Sequence, residues 1–364
     1  MARIAVDARP LSIPTTGIGR YTHAIMRRLL DSEHHWYLYS HQPLLHEFEG
    51  LPNVTVRCGS MQHAGLGSLY AQVVFPLWAG KDQVDLFWSP RHHLPLCLGK
   101  SLPKLVTIHD LVWQRFPQTM SRLGRQIERV LMPPSLKFAD AVIAVSDSTA
   151  NEVRNSFPGT AGKIRTIYEA PFLEATEGPY CDGNYFLFVG TIEPRKNLPA
   201  LLRAYRIYQS RLSRPLPLKI CGGKGWGLPE LESLIAQEEL GDWVELLGYI
   251  HDDQLPALYR NARALLMPSL YEGFGLPIVE AFSQGTPVIT SNRGAMQEVA
   301  CDAGLLVDPE CAEDMAAALM ELTSNSALLE ELQQRAQARA KLFSWDHAGE
   351  QTLSLIESLL ASKR

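Results

Sequence analysis

Six cysteines in 364 residues stand apart from one another, at 58, 97, 181, 221, 301 and 311, with no Cys-x-x-Cys pair among them. That spacing argues against a disulfide framework and a structural zinc site, and for a reducing compartment. Asp-x-Asp is missing throughout, as is any paired His/Cys ligand set, so a catalytic metal is not indicated. No apolar run is long enough to cross a bilayer, and the opening MARIAVDARPLS lacks the apolar core of a signal peptide. Low-complexity tracts and short-period repeats are missing too. The expected location is the cytoplasm, or the inner face of the cytoplasmic membrane.

What is present fits a soluble globular chain, with 46% hydrophobic and 20% charged residues. At 364 residues it exceeds what one core usually serves, so two domains are expected. Net charge is −5 but unevenly spread. Residues 1–170 hold 18 Lys and Arg against 13 Asp and Glu, or +5, and the remainder 16 against 26, or −10. The halves are expected to meet different partners. A positive first half suits an anionic ligand or a lipid surface, and +5 over that length is too mild for nucleic acid.

Short apolar runs alternate with amphipathic stretches. RIAVDA, LVTIHD (105–110) and AVIAVS (141–146) read as strands, and GIGRYTHAIMRRLLD as a loop running into a helix. EAPFLEATEGPYCDGN (169–184) has the Pro, Gly and acid content of a linker. The alternation then restarts, with strands at YFLFVG, PLKICGG, WVELLGYI, ALLMPS and PVITSN. Helices lie between them, and two long ones close the chain, from Ala312 to about Leu342 and from Trp345 to Leu360. This is an α/β pattern with parallel sheets.

Five segments carry candidate chemistry. In VGTIEPRKN (189–197), Arg195 and Lys196 follow a strand end, where open α/β sheets bind ligands, and the pair could neutralise a diphosphate. It would equally suit a solvated turn. In YEGFGLPIVEAF (271–282), Pro277 reads as the first helical residue. The N–H groups of Phe274, Gly275 and Leu276 would then converge at a helix N-terminus. Glu272 and Glu280 would straddle that point, each able to accept from ligand hydroxyls; the plainer reading makes them a loop acid and a dipole partner. In TTGIGRYTHAI (15–25), Gly17 and Gly19 permit close backbone approach and Arg20 adds charge. That is a weak dinucleotide signal, and Thr15-Thr16 would serve equally as a cap. His109 and Asp110 end a strand, with RHH (91–93) capping another. Finally, Arg122, Arg125 and Arg129 share a helix with Leu123, Ile127, Val130, Leu131 and Met132. A membrane-surface helix is one reading, and a helix with its apolar side in the core is the commoner one.

Together these segments resemble the retaining glycosyltransferases of the GT-B fold, family 4. The carriers are TGIGRYTHAI, TIHDL, AVIAVSDSTANEV, FVGTIEPRKN, QLPALYRNARALLMPS, the E-x7-E stretch YEGFGLPIVEAFSQGTPVITSN and FSWDHAGEQTL. The resemblance implies two Rossmann-like domains facing a cleft, 1–170 and 171–344, with 345–364 crossing back to the first. It implies that Arg195 and Lys196 bind the donor diphosphate, Glu280 the ribose, and Glu272 the sugar hydroxyls beside the amides of Phe274, Gly275 and Leu276. Gly248, Tyr249 and Ile250 would cradle the base, His109 would lie beside the donor sugar, and Gly17, Gly19 and Arg20 near the diphosphate and acceptor. No cofactor or metal is expected. DARPL, TGIGRY and GTIEPRKN look most like bacterial enzymes that build O-antigen from GDP-mannose or GDP-rhamnose on a polyprenyl-diphosphate-linked glycan. A UDP-sugar donor, a nucleotide-sugar epimerase and a non-catalytic scaffold remain the alternatives.

Overall fold

The computed structural model describes residues 1–13, 17–45, 48, 50–60, 66–175, 183–223, 225 and 231–362. Thr15, Thr16, Cys181 and residues 176–182 of the linker lie outside the described residues. The chain divides into two compact units, Met1–Glu169 with Trp345–Arg364, and Ala170–Ser344.

Unit 1 holds β1 (Arg3–Asp7), β2 (His35–Ser40), β3 (Val54–Cys58), β4 (Leu86–Ser89), β5 (Lys104–Ile108), β6 (Ala141–Ala144) and β7 (Ile164–Thr166). Their order is β3-β2-β1-β4-β5-β6-β7 with every pairing parallel, so Val6 lies between Leu38 and Trp88. The central strands are buried along their length, as a parallel sheet covered on both faces requires. Its helices are α1 (Gly17–Leu29), α2 (Gly67–Asp82), α3 (Val112–Arg115), α4 (Arg122–Phe138) and α5 (Asp147–Ser156). Phe75 of α2 and Leu136 of α4 share one apolar cluster with Val106 and Val142.

Unit 2 holds β8 (Phe186–Val189), β9 (Leu218–Cys221), β10 (Val244–Gly248), β11 (Ala264–Met267), β12 (Val288–Ser291) and β13 (Gly304–Val307) in the parallel order β10-β9-β8-β11-β12-β13. Its helices are α6 (Leu198–Arg211), α7 (Leu231–Gln237), α8 (Leu255–Arg260), α9 (Leu276–Ser283), α10 (Gly294–Ala300), α11 (Ala312–Ser324) and α12 (Ser326–Ala340). Leu198, Leu202 and Tyr205 of α6 pack with Phe186, Ile220 and Leu266. The closing α13 (Trp345–Ala361) belongs to unit 1 and packs on α1. A Cβ at Gly349 would lie 2.5 Å from Arg28 Cβ, so only glycine lets the helices approach this closely.

Four expectations change. GIGRY is not a loop, because α1 begins at Gly17. The stretch 312–342 is two helices, since Asn325 caps α12 by accepting from Leu328 N–H. The linker opens with buried residues, Glu169, Ala170 and Leu173. In α4, Met132 is buried but Leu123 and Val130 are 63% and 62% exposed beside the arginines. The apolar side of that helix is only partly in the core.

Candidate active site

The chain order in unit 2 reverses between β8 and β11, the switch point at which open α/β sheets bind ligands. After β8 the chain forms a tight turn, Pro194–Lys196, and Asn197 follows at φ +60° to start α6. Asn197 Nδ2 donates to the carbonyls of Pro268 and Pro309, and Leu270 N–H donates to Arg195 carbonyl at 2.7 Å. The turn after β8 is thereby tied to the segment after β11, which carries Glu272.

Glu272 receives Lys196 Nζ on Oε1 and Arg195 Nη1 on Oε2, each at 2.5 Å. Arg195 also meets Glu193 Oε1 at 2.7 Å and donates to Tyr271 carbonyl at 3.1 Å. Lys196, Glu193 and Glu272 are all buried. Burial alone would raise the Glu272 pKa, but the Arg195 and Lys196 charges and hydrogen bonds override it and hold it at about 2. For Glu193 the balance falls the other way: burial wins over the same two cations and its pKa is raised. Two cations and two acids thus sit at the strand ends with their formal charges matched. The sequence places these residues near a strand end but gives no sign that the cations hold Glu272, or that Glu193 takes part.

Gly275 precedes α9 at φ +110° and ψ +51°, a conformation that side chains rarely adopt, and Pro277 sits one residue past the helix start. Among the described residues nothing accepts from the N–H groups of Gly275 and Leu276. Phe274 is buried, its ring edge-on to Phe343 at 5.7 Å. Glu280, buried on α9, accepts from Tyr259 hydroxyl of α8 at 3.0 Å. The two glutamates therefore have separate partners. Ser269, fully buried between them and β11, has a hydroxyl without a partner among the described residues, and sequence reasoning missed both it and Tyr259.

Gly248 ends β10 at φ +66°, and its carbonyl accepts from Gly222 N–H at 2.8 Å. Tyr249 is exposed, and Ile250 lines a cavity of about 900 Å³ with Tyr185, Lys219 and Gln254. That cavity touches none of Arg195, Lys196, Glu272 or Glu280.

Gly17, Gly19, Arg20 and His109 belong to unit 1. The glycines and Arg20 form the first turn of α1. His109, at the end of β5, has Nε2 3.0 Å from Pro90 carbonyl and Nδ1 3.0 Å from Glu169 Oε1, with Tyr21 edge-on at 4.7 Å. A carbonyl can only accept, so Nε2 donates to Pro90, and both ring nitrogens are engaged within the protein. His109 N–H donates to His92 Nε2, while His92 Nδ1 and His93 Nε2 face Glu128. Glu169 and Glu128 escaped the sequence reading, the first hidden in a linker composition and the second among arginines. Among the described residues no group of three or more His, Cys, Asp or Glu could hold a metal ion.

Comparison with known proteins fits this geometry. Residues 15–170 match the family described as Glycosyltransferase Family 4, and residues 171–341 match Glycosyl transferases group 1. The chain is 29% identical to the O-antigen chain mannosyltransferase B of Escherichia coli, over 98% of this chain and 100% of that protein. Sucrose-phosphate synthase from Thermosynechococcus elongatus superposes at TM-score 0.78 with 21% identity, covering 100% of each chain. HepE of Anabaena, solved with UDP-glucose, superposes at TM-score 0.77 with 20% identity, covering 98% of this chain and 100% of that one. With two glycosyltransferase segments following each other from residue 15 to residue 341, and two parallel-sheet domains to match, the chain belongs to the family 4 glycosyltransferases of the GT-B fold.

Proposed function

We propose that the protein transfers a hexose, mannose or rhamnose, from a GDP-sugar to a lipid-linked glycan in O-antigen synthesis, with retention of anomeric configuration. The observation that carries this reading is the Arg195, Lys196 and Glu272 cluster beside the unpaired N–H groups of Gly275 and Leu276. A mannosyltransferase aligned over nearly the full chain supports the sugar.

The reaction breaks the bond from the anomeric carbon to a phosphate oxygen, and negative charge grows on the departing diphosphate. Arg195, Lys196 and the Gly275 and Leu276 amides meet that charge, each good donor contributing about 3 kcal/mol. Glu272 fixes both cations and accepts from sugar hydroxyls with its remaining lone pairs. Glu280 holds the ribose, and Gly248 to Ile250 the base. The acceptor hydroxyl attacks the same face of the sugar and gives its proton to the leaving phosphate oxygen. His109, hydrogen-bonded through both nitrogens, positions the donor sugar and is not the base. The positive charge comes from side chains, so we take the reaction to be metal-independent.

The acceptor's lipid implies membrane contact, and α2 supports it. No charged residue occurs from Cys58 to Gly80, and Leu69, Val73 and Leu77 are exposed at helical spacing. With Arg122, Arg125 and Arg129 of α4 exposed or half-buried, unit 1 offers an apolar and cationic surface to anionic lipid. No helix among the described residues is long and apolar enough to cross a membrane.

A thermal-shift series with GDP-, UDP-, ADP- and TDP-sugars tests the donor. GDP-mannose or GDP-rhamnose should give the largest shift, and a shift confined to UDP-sugars would replace the donor. Turnover of donor without acceptor would point to an epimerase instead. Lys196→Ala should lower kcat about a hundredfold, and a chelator should leave activity intact.

A further inference from the structure

In unit 1 the switch point falls between β1 and β4, where the chain runs outward to β2 and β3 on one side and to β5, β6 and β7 on the other. Each of these two strands leads directly into an arginine, Arg9 after β1 and Arg91 after β4. The two are treated differently. Arg9 is fully committed: Nε and Nη2 donate to the two oxygens of Asp7 at 2.8 and 2.5 Å, and Nη1 to Gly67 carbonyl at 2.8 Å. Asp7 and Arg9 are both buried.

Arg91 has no such pairing. Among the described residues no carboxylate or carbonyl accepts from its guanidinium, and its Nε is buried without a partner. The two acids that act on it are taken, Asp7 by Arg9 and Glu128 by His92 and His93. Burial of part of the side chain and the Arg9 charge push its pKa down to about 10, against the opposing pull of Asp7 and Glu128. His41 is buried, its pKa lowered by burial and by the Arg9 and Arg91 charges, and its Nδ1 accepts from no donor among the described residues. Arg91 as a whole is half-buried, but its Nε is enclosed without a partner, and an enclosed donor left unmatched is costly.

We propose that Arg91 is an anion-binding residue at the switch point of unit 1 and that its ligand is a phosphate or diphosphate ester. A guanidinium fork matches phosphate oxygens in pairs. Two sources share this chemistry: a diphosphate-linked acceptor and the nucleotide sugar. The site itself stands on the unpaired arginine; only the origin of the phosphate rests on the transferase reading above.

The first measurement is calorimetric binding of inorganic pyrophosphate. A Lys196→Ala background weakens the site in unit 2. In it, Arg91→Gln should reduce affinity at least tenfold, with Arg91→Lys in between. Equal affinity in all three proteins overturns the proposal. Thermal melting separates this from a structural role. Removing a half-buried cation that has no carboxylate partner among the described residues should leave Tm nearly unchanged, whereas a clear fall with unchanged pyrophosphate affinity also overturns it. The second measurement compares KM for a diphosphate-linked glycan, the same glycan without diphosphate, and the nucleotide sugar. A rise confined to the diphosphate-linked glycan assigns the acceptor, and a rise confined to the nucleotide sugar assigns the donor. If the wild type turns over neither glycan, the transferase reading fails while the pyrophosphate result still decides the site.

Discussion

Both units place arginines just past the carboxyl ends of the strands that flank their switch points, yet they settle the charge in opposite ways. In unit 2 the cations after β8 are closed against an acid from the neighbouring strand, since Arg195 and Lys196 share Glu272. In unit 1 the acid and the cation that pair, Asp7 and Arg9, come from the same strand end, and Arg91 across the switch point has no such pairing among the described residues. Bulk charge pointed only coarsely at this. The half with net −10 contains Arg195 and Lys196, and the half with net +5 contains both the paired Arg9 and Arg91, which has no carboxylate partner among the described residues. The difference teaches that a preset, internally balanced cluster and an unbalanced one ask different things of a ligand. The first offers a ligand cations that an acid already holds in place, and the second needs a ligand that supplies a missing partner.

The largest expected effect lies on the balanced side of unit 1. Arg9→Met strips Asp7 of its partner in a fully buried place and should cost about 3–5 kcal/mol in urea unfolding. Arg91→Gln should cost nothing, so the two arginines of one switch point would differ by that whole amount. A loss below about 1 kcal/mol for Arg9→Met would mean that Arg91 takes over Asp7, and the contrast between the arginines would collapse.

Next comes an attempt to make unit 2 resemble unit 1. Glu272→Gln leaves Arg195 and Lys196 over-positive, and its pH signature has a definite sign. The folded carboxyl sits at about 2, below the 4.5 of an unperturbed glutamate. Its contribution to stability, on the order of 3 kcal/mol, is therefore complete above pH 4.5 and lost as pH falls towards 2. Glu193, raised by burial, opposes it by favouring the fold when protonated. Wild-type stability measured from pH 6 to pH 2 should fall more steeply than that of Glu272→Gln. Parallel curves would show that the pair contributes nothing to folding. At neutral pH the variant should also bind pyrophosphate more tightly than wild type, because Glu272 no longer offsets the charge of Arg195 and Lys196.

How much of this was readable beforehand depends on distance along the chain. β1, β5, β6, β8, β11 and β12 announce themselves, because parallel strands buried on both faces are unbroken apolar runs. β3 and β13 do not, since their residues are mostly half-buried and their apolar stretches are broken in β3 and only three residues long in β13. Arg195, Lys196, Glu272 and Glu280 stand out as charged residues beside strand ends and glycines. Their pairing does not, because 76 residues separate Lys196 from Glu272 and no local pattern encodes that closure. Glu169 was lost for a related reason: its neighbours have linker composition, and only the fold shows that it meets His109 across 60 residues. Arg91 reads as part of a strand cap, and its want of a partner among the described residues is a property of three dimensions alone.

The smallest expected effect tests the other glutamate of unit 2. Glu280 sits on the buried face of α9 with Tyr259 hydroxyl donating to Oε2 at 3.0 Å. If Glu280 holds the donor ribose, Tyr259 is a positioning residue, and Tyr259→Phe removes one hydrogen bond without changing the shape of the pocket wall. A hydrogen bond to a charged group contributes roughly 1.5–3 kcal/mol when its loss leaves nothing in exchange, and about 1 kcal/mol when other partners compensate. Glu280 has further interactions, so the lower figure applies, and donor affinity by calorimetry should fall about fivefold. Glu280→Ala should weaken it more, with kcat at saturating donor little changed in both. An unchanged donor affinity in Glu280→Ala would make the second glutamate a structural acid that only braces α9 against α8. The asymmetry within unit 2 would then be sharper still, with ligand chemistry confined to Glu272 and its two cations.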